Sequence, residues 1–288
     1  MQTENRRKIK IINKRRFSLI IALIAFIGIL LCLIFHINGK INSKKTIINK
    51  PTTATKATLT KPSPDANMTS REATVNSEEP SIDSSTTNVY TSDGHKIAYL
   101  TFDDGPSPST TPGILKVLDD YNIKATFFIL GSMAIKDPYL LKLEYKDGQA
   151  IGNHTYSHIY KYIYSDTKIF ISDVNKCDAV LKSILGNDFN TKVVRFPGGS
   201  FGRKLAPFRE AIKNSGYHYV DWNDLTGDAE SQNVPVTKLL DNLEKYTKGK
   251  EHVVILMHDS ADKETTVQVL PRVIEYLISE GYSFNTLK

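Results

Sequence analysis

Asp104, His154 and His158 could together hold one divalent metal ion. Two histidines four residues apart can reach a single ion from a turn or a helix, and a carboxylate adds negative charge. Three protein ligands leave a position open for water, as catalytic rather than structural sites require. Asp103 stands next to Asp104. One of two adjacent carboxylates can bind the ion while the other, pointing elsewhere, takes a proton from the attacking water. Asp103-Asp104-Gly105-Pro106 taken alone would read as a surface turn, and a lone His-x-x-x-His pair as surface histidines.

Two further residues fit the same chemistry. His258 closes the apolar run Val253–Met257, where it could protonate a leaving amine if a carboxylate keeps it charged. Asp221 and Asp259 are both candidates for that carboxylate. Arg195, placed beside Asp103, would hold it ionised and oriented.

These residues must be carried by elements that converge. Short apolar, β-branched or aromatic runs predict strands at 96–102, 125–130, 150–153, 193–196, 217–222, 253–257 and 282–287. Amphipathic stretches predict helices at 112–121, 166–185, 205–215, 236–246 and 265–280; in the last, Val267, Leu270, Ile274 and Leu277 repeat at helical spacing. Alternating strands and helices indicate a parallel sheet. The fold class is α/β, and about seven strands in some 200 residues favour a distorted (β/α) barrel, with an open doubly wound sheet as the alternative. Asp103-Asp104, His154 to His158, Arg195, Asp221 and His258 each follow or close a strand, at the carboxyl ends where β/α barrels carry active sites.

The amino-terminal region reads differently. Seven basic residues precede position 17, and an uncharged apolar run follows from Phe17 to Phe35. Such a run is long enough for one hydrocarbon core of roughly 30 Å. It is longer than a secretory core of about 7–15 residues and has no A-x-A-like site after it, so a retained anchor with a cytoplasmic amino terminus is expected. Residues 1–16 are then a basic tail, 17–35 a transmembrane helix, 36–88 a disordered Thr/Ser/Pro-rich linker and 89–288 the catalytic domain. Residues 1–50 hold 11 basic residues against one acidic; the remainder holds 26 against 30, so the basic balance belongs to the membrane flank and gives no support for nucleic-acid binding. Cys32 falls in the span and Cys177 in the domain, so no intrachain disulfide is expected.

The motifs Thr101 to Ser107, His154 to His158, Arg195-Phe196-Pro197-Gly198, Asp221-Trp222 and Leu256-Met257-His258 occur in the order seen in the polysaccharide deacetylases. Over 96–288 the chain resembles that family, carbohydrate esterase family 4 with its NodB-homology domain. The resemblance implies a Zn²⁺-type site, with Co²⁺ or Ni²⁺ as other possible ions, held by Asp104, His154 and His158. It implies Asp103 as general base, His258 as general acid, Arg195 orienting Asp103 and Asp221 tuning His258. Leu256 and Trp222 would wall the acetyl pocket, and the Gly198 N–H would help hold the oxyanion. The family often carries an aromatic residue where Gly198 stands, so any sugar contact from that side chain is expected to be lost.

The expected activity is hydrolysis of N-acetyl groups from a cell-envelope polysaccharide by a monomer. Peptidoglycan N-acetylglucosamine comes first as substrate; poly-N-acetylglucosamine, chitin oligomers and muramic-acid residues follow. An O-acetyl esterase acting on xylan suits an anchored protein poorly. The rival of another class is a wall-binding module without catalysis.

Overall fold

The computed structural model describes residues 88–288. The expected basic tail, membrane span and linker up to residue 87 lie outside the described residues. Among the described residues, no helix is long and apolar enough to cross a membrane.

The elements run β1 (Ile97–Asp103), α1 (Thr111–Asp120), β2 (Thr126–Ile129), α2 (Gly131–Lys136), α3 (Pro138–Lys146), β3 (Ala150–Asn153), α4 (Tyr160–Ile163), α5 (Thr167–Leu185) and β4 (Val193–Val194). They continue with α6 (Ala206–Asn214), β5 (His218–Tyr219), β6 (Asp224–Leu225), α7 (Val236–Thr247), β7 (His252–His258), α8 (Glu264–Ser279) and β8 (Ser283–Phe284). Seven strands follow the order β5-β4-β3-β2-β1-β7-β6, every pairing parallel, and β8 pairs with the first residues of β1.

Strand alternation divides the core into two layers. Ala98, Leu100 and Phe102 of β1, with Val253, Ile255 and Met257 of β7, face the helices and pack with Leu118, Leu270, Ile274 and Leu277. Tyr99 and Val254 face the other way and meet Phe128, Val193, Val220 and Leu287. Inward side chains from β1, β2, β4 and β7 touch in one cluster, so the sheet is curled into a barrel. Both faces of β1 and β7 are buried, which is why β7 reads as an unbroken apolar run from Val253 to Met257 and β1 as a largely apolar one.

Helix α5 shows how the sequence sets an element. Asp166 caps its start by accepting from the Lys168 N–H at 2.7 Å, and Phe170, Val174, Cys177 and Leu181 form a buried stripe at helical spacing. Gly186 then ends it.

The barrel closes differently from the sequence expectation. The 217–222 run is not one strand: His218 and Tyr219 pair with β4 and, after four intervening residues, Asp224 and Leu225 pair with β7. Val220 donates to the Val194 carbonyl and Asn223 to the Val254 carbonyl, so one extended segment leaves one sheet edge and joins the other. The distortion lies there, since chain connectivity rather than a ladder joins β5 to β6. Helices α2, α3 and α4 were also not anticipated; α2 and α4, of six and four residues, are too short to show a periodic pattern.

One core position departs from apolar logic. Glu144 of α3 is fully buried, and neither carboxylate oxygen has a hydrogen-bond partner among the described residues. Burial pushes its carboxyl well above the ordinary 4.5, and the charge of Asp259 pushes the same way. The native group therefore stays protonated while the unfolded one ionises, so its penalty grows as pH rises above about 4.5. Glu144→Met is expected to stabilise the fold by about 1–3 kcal/mol at pH 7, and by less below pH 4.5. Urea unfolding at both pH values checks this, and destabilisation at both would defeat it.

Candidate active site

The site is built on the ends of β1 and β7. Their register sets Asp103 opposite His258, and Thr101 opposite Leu256. Alternation turns all four side chains into the barrel. Asp103 is 2% exposed, and Arg195, fully buried, donates from Nη1 to its Oδ1 at 2.9 Å. Arg195 also donates to Thr101 Oγ1 (2.6 Å), the Val220 carbonyl (3.1 Å) and the Asp221 carbonyl (3.0 Å), with its plane 4.1 Å from the Phe128 ring. Burial raises the Asp103 pKa; the charge and hydrogen bond of Arg195 oppose the rise without cancelling it. The result is a carboxylate with more than ordinary proton affinity, held in one orientation.

Beyond Asp103 the backbone turns sharply. Asp104 has φ +76°, and in the β3 loop Thr155 and His158 have φ +69° and +57°. Such angles are rare for non-glycine residues and persist where the surroundings over-determine them. Here Asn153 Oδ1 accepts from the Thr155 N–H at 2.8 Å, and Asp173 Oδ1 accepts from the Tyr156 and Ser157 N–H groups at 2.8 and 2.9 Å. The ligand atoms of Asp104, His154 and His158 then lie within 4.8 Å of one another. Nε2 of His154 and of His158 sit 3.5 and 3.3 Å from Asp104 Oδ1.

This cluster fits a cation. His154 Nδ1–H donates to the Arg195 carbonyl at 2.8 Å, which points the Nε2 lone pair at the cluster. Burial lowers the His154 pKa to about 3, so the ring is neutral. Asp104 Oδ1 is buried without a hydrogen-bond partner among the described residues. Two imidazoles and an orphaned carboxylate oxygen need a positive charge, which a divalent ion would supply.

His258 forms the opposite wall. Its Nδ1 lies 2.8 Å from Asp228 Oδ1, and its N–H donates to Asp228 Oδ2 at 2.8 Å. Thr266 Oγ1 also donates to Oδ2, at 2.8 Å, and Lys263 Nζ to the Asp228 carbonyl, at 3.0 Å. Burial by itself would lower the His258 pKa. The Asp228 hydrogen bond and charge, with Asp103 and Asp104 behind them, raise it instead to about 9.

The chain's relatives accord with this arrangement. A model of the polysaccharide deacetylase family matches residues 91–220. A peptidoglycan-N-acetylglucosamine deacetylase of Bacillus cereus is 34% identical over 199 residues, spanning 67% of this chain and 86% of the relative. The chain belongs to the polysaccharide deacetylase family. Among solved structures, a Streptococcus mutans CE4 esterase superposes with TM-score 0.65 at 34% identity, covering 71% of this chain and 91% of the other. The catalytic domain of a peptidoglycan N-acetylglucosamine deacetylase from Eubacterium rectale gives TM-score 0.63 at 29% identity, covering 73% and 94%.

In this polysaccharide deacetylase, a cavity of about 490 Å³ brings Asp103, Asp104, His154, His158, Gly198, Trp222, Leu256 and His258 together. Arg195 stands behind it, against Asp103. Asp221 does not meet His258. Its Oδ1 and Oδ2 accept from the Ser200 N–H (2.8 Å) and hydroxyl (2.6 Å), so it braces the loop after β4. Asp259, the other candidate, accepts instead from Thr111 Oγ1 at 2.6 Å. The partner of His258 is Asp228, which sequence reasoning missed. Its signal was available, since Asp228 follows β6 as the other site residues follow their strands, but a two-residue strand leaves no pattern to read.

Asp228→Asn should lower the His258 pKa from about 9 by a unit or more, so that the ring loses its proton at lower pH. NMR titration of the imidazole in metal-free protein measures this. Identical titration in both proteins would show that Asp228 does not hold the charge.

Proposed function

We propose that the chain hydrolyses N-acetyl groups of N-acetylglucosamine units in a cell-envelope polysaccharide, peptidoglycan first, with a divalent metal of the Zn²⁺ type. The observation carrying this is the division of labour at the end of β1. Asp103 is turned to Arg195, and its neighbour Asp104 to two histidines. Asp104, His154 and His158 would hold the ion, which when bound supplies positive charge to an amide carbonyl and acidity to a water. Arg195 occupies Asp103 Oδ1 and leaves Oδ2 turned to the cluster, 3.8 Å from His154 Nε2, where it accepts the proton of the attacking water. His258, charged because Asp228 holds its Nδ1, delivers a proton to the leaving nitrogen. Leu256 and Trp222 give the acetyl methyl an apolar wall, and Gly198 brings a backbone N–H to the rim. The products are acetate and a free amine on the sugar.

We also infer a membrane-anchored protein with its catalytic domain outside the cell, supported by the basic flank and the apolar run 17–35. That position would bring the domain to an envelope polymer, and the peptidoglycan-N-acetylglucosamine deacetylase relatives favour the same substrate class.

The 89–288 fragment, given Zn²⁺ and either peptidoglycan or N-acetylglucosamine oligomers, is expected to release acetate. Asp103→Asn should reduce the rate about 10²–10⁴-fold, and chelation should abolish it. No acetate from any polymer, and no difference after Asp103→Asn, would favour a wall-binding module.

A further inference from the structure

We propose that Tyr160, Phe201 and Trp222 form an aromatic clamp for the pyranose rings that flank the reacting sugar, standing on a floor made by Gly198-Gly199. The proposal rests on the glycan-deacetylase reading above and adds to it the residues that grip the polymer.

The floor is where the departure at Gly198 becomes informative. Gly198 and Gly199 have φ +75° and +84°, angles that strain any other residue, and a Cβ at either would press on a neighbouring ring. A Cβ on Gly198 would come within 2.8 Å of Tyr160 Cε1 and 3.0 Å of its hydroxyl. A Cβ on Gly199 would collide with the Phe201 ring and come within 3.0 Å of Trp222 Cη2. The aromatic face absent from residue 198 itself is therefore supplied from α4, by a side chain lying over the glycine. A second aromatic surface adjoins Gly199, where Phe201 and Trp222 meet edge to face at 5.3 Å.

These rings are half in water yet held in place. Tyr160 is 49% exposed and Phe201 56%. The Tyr160 ring packs edge to face on His158 at 5.2 Å and on Tyr164 at 6.1 Å. Tyr164 donates its hydroxyl proton to the Pro197 carbonyl at 2.8 Å, which ties α4 to the glycine loop. Phe201 is fixed through its neighbours: Asp221 grips Ser200, and Arg209 donates to the Ser200 and Gly202 carbonyls.

The occupant follows from position and chemistry. Tyr160, Gly198 and Trp222 line the same cavity as the proposed metal ligands, so whatever crosses the clamp is continuous with the reacting group. A polymer of β-linked pyranoses presents C–H faces that stack on aromatic rings and an equatorial rim of hydroxyls that stays wet. Exposed, immobilised rings suit such a ligand, because they give contact area with little entropy left to lose.

Trp222 is the sole tryptophan, so its fluorescence reports the clamp directly. The full chain in detergent, titrated with a linear pentamer of β-1,4-linked N-acetylglucosamine, should show a saturable change. Tyr160→Ala and Phe201→Ala should each raise Kd about tenfold, a typical loss for one aromatic contact, and raise KM for acetate release in parallel with a smaller effect on kcat. Tyr160→Phe should behave as wild type, because stacking needs the ring and not the hydroxyl. Tyr139→Ala, at a more exposed tyrosine outside the cavity, serves as the control. If wild type releases acetate but Tyr160→Ala and Phe201→Ala bind and turn over the pentamer as wild type does, the clamp is wrong and the function stands. If wild type neither binds nor deacetylates any glucosamine polymer, both readings fall.

Discussion

Arg195 is the side chain around which the barrel's polar interior is organised. It is fully buried, and its four hydrogen bonds from the guanidinium reach β1 at Thr101 and Asp103 and the closing segment at Val220 and Asp221. Its backbone carbonyl accepts from His154, setting that ring's tautomer. A buried carboxylate such as Asp103 is tolerable only with such a partner, and breaking a pair of this kind costs about 3–5 kcal/mol. One residue thus neutralises the proposed base, orients a proposed metal ligand and ties the end of β4 to β1 and to the closing segment.

Around that pair, strain and charge are distributed unevenly. Three of the positive-φ residues, Asp104, Thr155 and His158, fall in the loops of the proposed metal ligands, where tight turns bring three candidate ligand atoms together. On the opposite wall the logic is electrostatic: Asp228 overrides the effect of burial and keeps His258 charged. His154 and His258 are both largely buried; burial drives the first down, while the Asp228 hydrogen bond and charge override burial and drive the second up. One residue type thus gives a neutral imidazole, suited to the proposed coordination, and a charged one, suited to the proposed proton donation.

The closing segment explains the main misreading of the site. Asp221 was set against His258 by the family resemblance, which chose it over Asp259, and the run from Tyr217 to Trp222 reads as a single strand with Asp221 near its end. In the structure that chain leaves β4, passes Asp221 and Trp222, and forms a second short strand on β7 before reaching Asp228. Asp221 therefore sits on the β4 side, against Ser200, and Asp228 arrives beside His258. The brace that Asp221 provides has its own use, since the loop it holds carries Gly199 and Phe201.

From residue types and local spacing alone, the sequence determined the strand–helix alternation and the grouping of Asp103, Asp104, His154, His158, Arg195 and His258 at strand ends. Those features follow from periodicity and from chemistry, which neighbouring residues encode directly. Tertiary structure decided which carboxylate reaches His258, how the barrel closes, and that Tyr160 covers Gly198 from a different element. Each of these depends on long-range packing between segments too short to carry a pattern. The cost of burying an unpartnered charge, rather than any local propensity, selects the partners.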